Sequence, residues 1–351
     1  MKKKKIAIIF GGCSTEYPVS LQSASAIISN LAADRYEQIL IGITREGTWF
    51  RYNGTVDHIL DDTWHQRTSE CIPVIISPDR NVHGMIELRK QGNKVTRIDA
   101  AFPVLHGKNG EDGTVQGLHE LAGIPLIGCG TLCSALCMDK DKSHKLVSQA
   151  GIVTPNAIVI SQRVSEEELY SQAKHLNYPL FVKPVKAGSS FGITKVSEPK
   201  NLSEAVNLAF THDNEVIIEE NIEGFEVGCA VLGNSELTFG EVDEIELTEG
   251  FFDYTEKYTL KSSKIHMPAR INSNTARQVK ETAAIIYKTL GCKGFARVDL
   301  FLTPDHRIVF NEVNTIPGFT SHSRYPNMMK GIGLSFSEVL DKLIELGIKQ
   351  C

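Results

Sequence analysis

Phe295-Ala-Arg297-Val-Asp299-Leu-Phe301, a turn at Pro304-Asp305-His306, then Ile308-Val-Phe-Asn-Glu312-Val-Asn314-Thr-Ile-Pro-Gly318: these residues decide the fold around the chemistry. Both arms have strand composition, and Pro-Asp-His suits a hairpin connection. Side chains alternate faces along a strand, so Arg297 and Asp299 share one face of the first arm, as do Glu312 and Asn314 on the second. If the hairpin closes, Asp299, Glu312 and Asn314 converge with Arg297 beside them. Three hard oxygen ligands that leave positions free for phosphate and water suit Mg²⁺. The plainer alternative is a solvated polar face. The flanking Val, Ile and Phe argue against it, because unpaired carboxylates in a buried hairpin are costly.

At 351 residues the chain is too long for one compact core and predicts two or three domains. With 42% hydrophobic and 23% charged residues and a net charge of −5, it has no electrostatic bias towards nucleic acid or anionic membrane as a partner. The apolar run after Lys2-Lys-Lys-Lys5 stops at Gly11-Gly12, short of a signal peptide, and no stretch approaches a membrane span. The expectation is a cytoplasmic protein. Eight cysteines sit at irregular positions with no CxxC pair. Cys129, Cys133 and Cys137 fall at i, i+4 and i+8, among Leu132, Ala135, Leu136 and Met138. A metal is conceivable there, but small buried hydrophobes are the expectation.

The N-terminal third alternates strand and helix signals: Lys5 to Phe10, a helix from about Val19 to Ala32, then Ile39 to Ile43. That order predicts an α/β domain with a doubly wound parallel sheet, whose ligands sit at the carboxyl ends of strands. A later strand, Ala100 to Leu105, runs into His106-Gly-Lys-Asn-Gly-Glu-Asp-Gly113 and a helix from Thr114. The loops Gly11 to Glu16 and His106 to Gly113 therefore fall on one edge. Neither is GxGxxG and no GxxxxGK[ST] occurs, so a Rossmann dinucleotide site and a P-loop are both unsupported.

One helix is predicted through Met138-Asp-Lys140 to Gln149. Strand Tyr178 to Lys183 leads into Pro184-Val-Lys186-Ala-Gly-Ser-Ser-Phe-Gly192 and a second strand, Ile193 to Val196. Such a Gly/Ser loop between strands can fold backbone N–H groups over phosphates, with Lys183 pointing inward. Glu219, Ile222 and Glu226 follow a strand in a spacing that suits an adenine and ribose pocket, though a solvated strand end fits equally well. Residues 245–265, with four aromatics crowded beside charges, predict an irregular covering loop. The C-terminal stretch Ser337 to Ile348 is an amphipathic packing helix.

Taken together these blocks resemble the ATP-grasp D-alanine–D-alanine ligase family along essentially the whole chain. The blocks are Gly11-Gly-Cys-Ser-Thr-Glu16, Leu105-His-Gly-Lys-Asn-Gly-Glu-Asp-Gly, Met138-Asp-Lys140, Lys183-Pro with Gly188-Ser-Ser, Asp253-Tyr with Lys257-Tyr258, and Arg297-Val-Asp through Gly318. Ser321-His-Ser-Arg324-Tyr-Pro and the run from Gly250 to Ser263 look like the vancomycin-resistance branch and its VanG-type D-alanine–D-serine ligases. The resemblance implies an N-terminal substrate domain (1–129), a central ATP-grasp domain (130–220) and a C-terminal ATP-grasp domain of antiparallel sheet (221–351). It implies ATP, two Mg²⁺ ions with Mn²⁺ as a substitute, D-alanine and D-serine as substrates, and a cytoplasmic homodimer. Asp299, Glu312 and Asn314 would hold the metal. Lys140, Lys183 and Lys257 would contact phosphates, Glu219 and Ile222 the adenine, and Glu226 the ribose. Glu16 would pair with the first D-alanine ammonium, with His106 nearby. Ser189 and Tyr258 would join Glu16 in a lid-closing set, and Arg297 with the Gly318 N–H would stabilise the oxyanion. In one departure from the family pattern, Pro18 stands where a second acid is usual.

The acceptor follows from the same resemblance. Depsipeptide-forming relatives carry histidine at the Tyr258 position. Housekeeping relatives carry tyrosine at Phe252 and an aliphatic residue at Arg324, so D-serine is expected, with Phe252, Ser323 and Arg324 around it. Asp243 could accept the serine hydroxyl, or could be an ordinary exposed acid. The competing readings are the housekeeping D-alanine–D-alanine ligase, a nucleotide-binding regulator without catalysis, and structural carboxylates that bind no nucleotide.

Overall fold

A computed structural model describes residues 3–188, 191–247 and 263–349. The first sheet runs β1 (Lys4–Gly11), β2 (Tyr36–Ile43), β3 (Trp49–Tyr52), β4 (Cys71–Ile76), β5 (Gly84–Glu87), β6 (Lys94–Arg97) and β7 (Ala100–Pro103) in chain order. In space the order is β6-β5-β4-β3-β2-β1-β7. Only β2, β1 and β7 are parallel; β3 to β6 extend that core as antiparallel strands. The reason is local. Turns such as Thr44 to Thr48 are too short for a crossover helix, so the chain turns straight back.

The second sheet holds β8 (Ala157–Ile160), β9 (Leu180–Pro184), β10 (Thr194–Val196) and β11 (Val216–Glu220), ordered β10-β9-β11-β8. The third holds β12 (Phe225–Gly233), β13 (Leu237–Phe239), β14 (Asp243–Leu247), β15 (Ser263–His266), β16 (Phe295–Leu302) and β17 (Ile308–Asn314). Its order is β15-β14-β12-β16-β17, with β13 paired to β12. All described pairings in these two sheets are antiparallel. The ends of the expected covering loop belong to strands, because residues 245–247 pair with 263–265.

The helix expected to run unbroken into Gln149 is two helices, Thr131–Met138 and Lys140–Gln149. Asp139 breaks it at φ −87°, ψ 102°, and its carboxylate caps the second helix by accepting from Lys142 N at 2.9 Å. That corner aims Lys140 back at the β9 turn. The last helix, Phe336–Ile348, is closed by a capping box between Ser335 and Glu338. It buries Val339, Leu340, Leu343 and Ile344 in the same apolar cluster as Ile6, Phe10, Ala24 and Phe102. The end of the chain thus completes the core of its beginning, each aliphatic side chain contributing about 1.5–3 kcal/mol. Among the described residues no helix is long and apolar enough to cross a membrane.

Candidate active site

The hairpin closes as its alternation predicts. In β16 and β17 Asp299 lies opposite Glu312 and Arg297 opposite Asn314, with a register shift between Asp299 and Leu300. Asp299 is 1% exposed. Arg297 grips it with Nε to Oδ1 at 2.8 Å and Nη2 to Oδ2 at 2.7 Å, and Asn314 Nδ2 donates to Oδ2 at 2.8 Å. Asp299, Glu312 and Asn314 therefore present oxygen-bearing side chains from one face of two adjacent strands. This donor set fits a hard divalent cation.

Arg324 opens the helix Arg324–Gly331 and lies buried on that face. Its Nε and Nη2 fork onto Asp243 at 2.7 and 2.8 Å, Nη1 donates to Glu226 at 2.8 Å, and Nη2 lies 3.4 Å from Asp299. Gly228 on β12 makes room, since a Cβ there would lie 2.3 Å from the guanidinium and 2.5 Å from Asp243. Asp243 is not an exposed acid. It is fully buried, and besides Arg324 it accepts from Gly228 N at 3.0 Å. A serine hydroxyl would have to compete for it. Glu226, expected at the ribose, is turned to Arg324 here. Ser323 Oγ accepts from Thr320 N at 3.0 Å in the turn before this helix, and it lies beside Gly318.

Among the residues expected at the nucleotide, Lys183 on β9 and Glu219 on β11 sit diagonally across the pairing, with Nζ to Oε2 at 2.5 Å. Burial pushes the Glu219 carboxyl up, but Lys183, His144 and Lys140 outweigh it and hold it below its ordinary value. His144 went unnoticed in the sequence. Its Nδ1 is 3.7 Å from Glu219 Oε1, and its Nε2 is 2.9 Å from the Asn311 carbonyl beside Glu312. Lys140 Nζ donates to the Ala187 carbonyl at 2.8 Å, next to the Gly/Ser turn. Ile222 is half-buried just beyond β11.

Glu16, expected at the first D-alanine, stands at the N-cap position of the helix Tyr17–Asn30 without a side-chain capping bond, and Pro18 is accommodated in the first turn. Its carboxylate is enclosed by glycines: a Cβ on Gly107 or Gly188 would lie 2.3 or 2.9 Å from Oε2. The two loops thus meet over Glu16. His106 is buried and braced, with Nδ1 2.9 Å from the Ile316 carbonyl and Nε2 3.2 Å from Ser23 Oγ. Burial is the larger influence and brings its pKa down to about 4, the Ile316 carbonyl opposing. Glu111, quoted in the sequence but given no role, belongs to this group. It accepts from Gly107 N and Ile316 N, each at 3.0 Å. Burial, then the charge of Glu16, and further that of Glu312, raise it to about 8, while the two N–H donors work against them. Such crowding of negative charge is what a cation and a substrate ammonium relieve. A hollow of about 300 Å³ opens beside these loops, lined by Gly12, Cys13, Trp49, Leu105 and His106 among others. Ser189, Phe252, Lys257 and Tyr258 lie outside the described residues.

A buried lysine–glutamate pair under a glycine turn, facing a carboxylate hairpin with its own arginine, is the arrangement of an ATP-dependent ligase. Family models described as D-ala D-ala ligase N-terminus and C-terminus match residues 5–129 and 146–345. The chain belongs to the D-alanine–D-alanine ligase family. It is 44% identical to the vancomycin B-type resistance protein VanB of Enterococcus faecalis, covering 100% of both chains. It is 43% identical to a D-alanine–D-alanine ligase of Caldicellulosiruptor bescii, covering 100% of this chain and 96% of the relative. The crystal structure of the VanG D-Ala:D-Ser ligase from Enterococcus faecalis superposes with a TM-score of 0.92 at 61% identity, covering 98% of this chain and 99% of that one.

Proposed function

We propose that this ligase joins D-alanine to D-serine, with ATP first phosphorylating the D-alanine carboxylate and the D-serine amine then displacing phosphate. The products are D-alanyl-D-serine, ADP and phosphate, made in the cytoplasm as a peptidoglycan-precursor dipeptide that lowers vancomycin binding. The observation that carries the acceptor is the 61% identity, over nearly the whole chain, to an enzyme named for D-Ala and D-Ser. The buried cation Arg324 at the head of its helix supports it.

Asp299, Glu312 and Asn314 would hold Mg²⁺, which when bound neutralises charge on the phosphoryl group in transfer. Lys183 and Lys140 neutralise phosphate oxygens, and Glu219 holds Lys183 in place while facing the base. Glu16 accepts the ammonium of D-alanine, and Glu111 adds negative charge behind it. Arg297 lies beside the reacting carboxyl and offsets the oxyanion that forms there, together with the Gly318 N–H. Ser189 and Tyr258 close the lid over Glu16. The residues 1–129, 130–220 and 221–351 form the three domains, and the enzyme works as a homodimer. Phosphate release with D-alanine plus either D-serine, D-alanine or D-lactate tests the reading. The highest kcat/KM is expected for D-serine, and a preference for D-alanine would make this a housekeeping enzyme.

A further inference from the structure

Four of the eight cysteines converge in one buried place, remote in chemistry from the carboxylate hairpin. Cys133 and Cys137 lie one turn apart on the helix Thr131–Met138, so they share a face. Cys129 precedes that helix, and Cys292 comes from the turn after the helix Ser273–Thr289. Nothing in the sequence spacing links Cys292 to the others. The sulfurs of Cys129, Cys133 and Cys292 all lie within 4.8 Å of one another. Cys133 Sγ is 3.4 Å from Cys292 Sγ and 3.8 Å from Cys137 Sγ.

The two loops are built to cross closely. A Cβ on Gly294 would lie 3.0 Å from the Gly128 Cα, and both glycines hold positive φ, 70° and 121°. No other residue type tolerates both the contact and the backbone. This crossing brings Cys129 and Cys292 together. All four cysteines are buried in an apolar cluster with Val147, Val279, Tyr287 and Leu290, as the sequence predicts for Cys129, Cys133 and Cys137, and three of their sulfurs also face one another.

We propose that Cys129, Cys133 and Cys292 form a three-thiolate site for one soft divalent cation of the zinc class, its fourth position left to a water. Thiolates about 2.3 Å from a tetrahedral zinc lie about 3.8 Å from each other, within reach of the 3.4 Å between Cys133 and Cys292 and the 4.8 Å bound on all three sulfurs. The softness of sulfur separates this site from the oxygen ligands of the hairpin, which select Mg²⁺. Binding releases the thiol protons: Zn²⁺ and three R–SH give Zn(SR)₃⁻ and three H⁺. Cys129 Sγ otherwise donates weakly to the carbonyls of Lys293 and Phe295 at 3.4 and 3.7 Å, contacts that the metal replaces.

The test uses the full chain purified under reducing conditions without chelator. Zinc is counted by mass spectrometry of the elements, and Cd²⁺ is titrated with Mg²⁺ in excess while the ultraviolet thiolate-to-cadmium band is followed. About one zinc per chain and saturation of the band at about one equivalent of Cd²⁺ are expected. Cys133→Ser and Cys292→Ser should each lose both signals, while Cys13→Ser keeps them. Wild type without zinc and without the band would overturn the proposal, as would a band that survives both serine substitutions. A Cys133–Cys292 disulfide found in the wild type by peptide mapping would overturn it too. If the serine variants do not fold, a mercurial titration of wild type decides instead. Zinc released in step with these thiols supports the site, and thiols titrating with no zinc release refute it.

Discussion

Replacing Arg324 by methionine removes the cation that Asp243, Glu226 and Asp299 share, at nearly unchanged length. Asp299 keeps Arg297 and Asn314 as partners, but among the described residues fully buried Asp243 keeps only the Gly228 N–H. Breaking a buried pair from one side costs about 3–5 kcal/mol, because the remaining charge stays desolvated. Spread over 351 residues at ~2.1 cal/mol/K each, that is a fall in Tm of about 4–7 °C for a single cooperative transition. Calorimetry of the ligand-free chain reads it directly. Arg324→Lys should recover part of the loss, since the charge returns without the fork. Arg324→Met with Asp243→Asn should recover more, because no uncompensated acid is left. A single Arg324→Met variant melting within about 1 °C of wild type would mean that these carboxylates are not neutralised by Arg324, and the reasoning would fail at its root.

Glu312→Gln keeps size and removes charge at the hairpin, so kcat should fall by about 10²–10³ with saturating Mg²⁺ and ATP; near-normal turnover would remove Glu312 from the metal ligands. Two buried groups should tilt the pH dependence of stability in opposite directions. His106, lowered from 6.5 to about 4, contributes stability above pH 6.5 that is lost as pH falls towards 4, about 3 kcal/mol at most. Glu111, raised from 4.5 to about 8, contributes stability below pH 4.5 that is lost as pH rises towards 8. In melts across pH, His106→Asn should flatten the acid limb and Glu111→Gln the upper one; limbs unchanged by both substitutions would contradict the burial that shifts them.

The carboxylate hairpin was legible because its polar side chains sit on two short strands joined by a three-residue turn, where period-two alternation alone decides which side chains meet. The same holds for Lys183 and Glu219, each read from its own strand. For Asp243 the sequence left an acceptor-pocket acid and an exposed acid equally open: nothing in Glu241-Val-Asp243-Glu244 shows that a distant arginine and Gly228 enclose it. His144 and Cys292 gave no local signal, since their partners lie 75 and 159 residues away in the chain, and Glu111 has Gly107 N close by but its second donor, Ile316 N, 205 residues on. The helix break at Asp139 was missed because Met138-Asp-Lys140 has good helix formers on both sides, and only the cap distinguishes two helices from one.

Ser23 and His106 meet Phe319 and Ile316 only when the last part of the chain arrives, 296 and 210 residues later. During synthesis, therefore, the first sheet leaves the ribosome with a histidine and a serine that have each other but not yet their C-terminal partners. The last helix is still missing from the core they border. Nascent chains that have not yet reached the hairpin would display this unfinished seam for many seconds at ordinary elongation rates, a handle for chaperones and proteases. Quality control of this enzyme can then be read as a question of timing: how soon the final residues follow the first ones out.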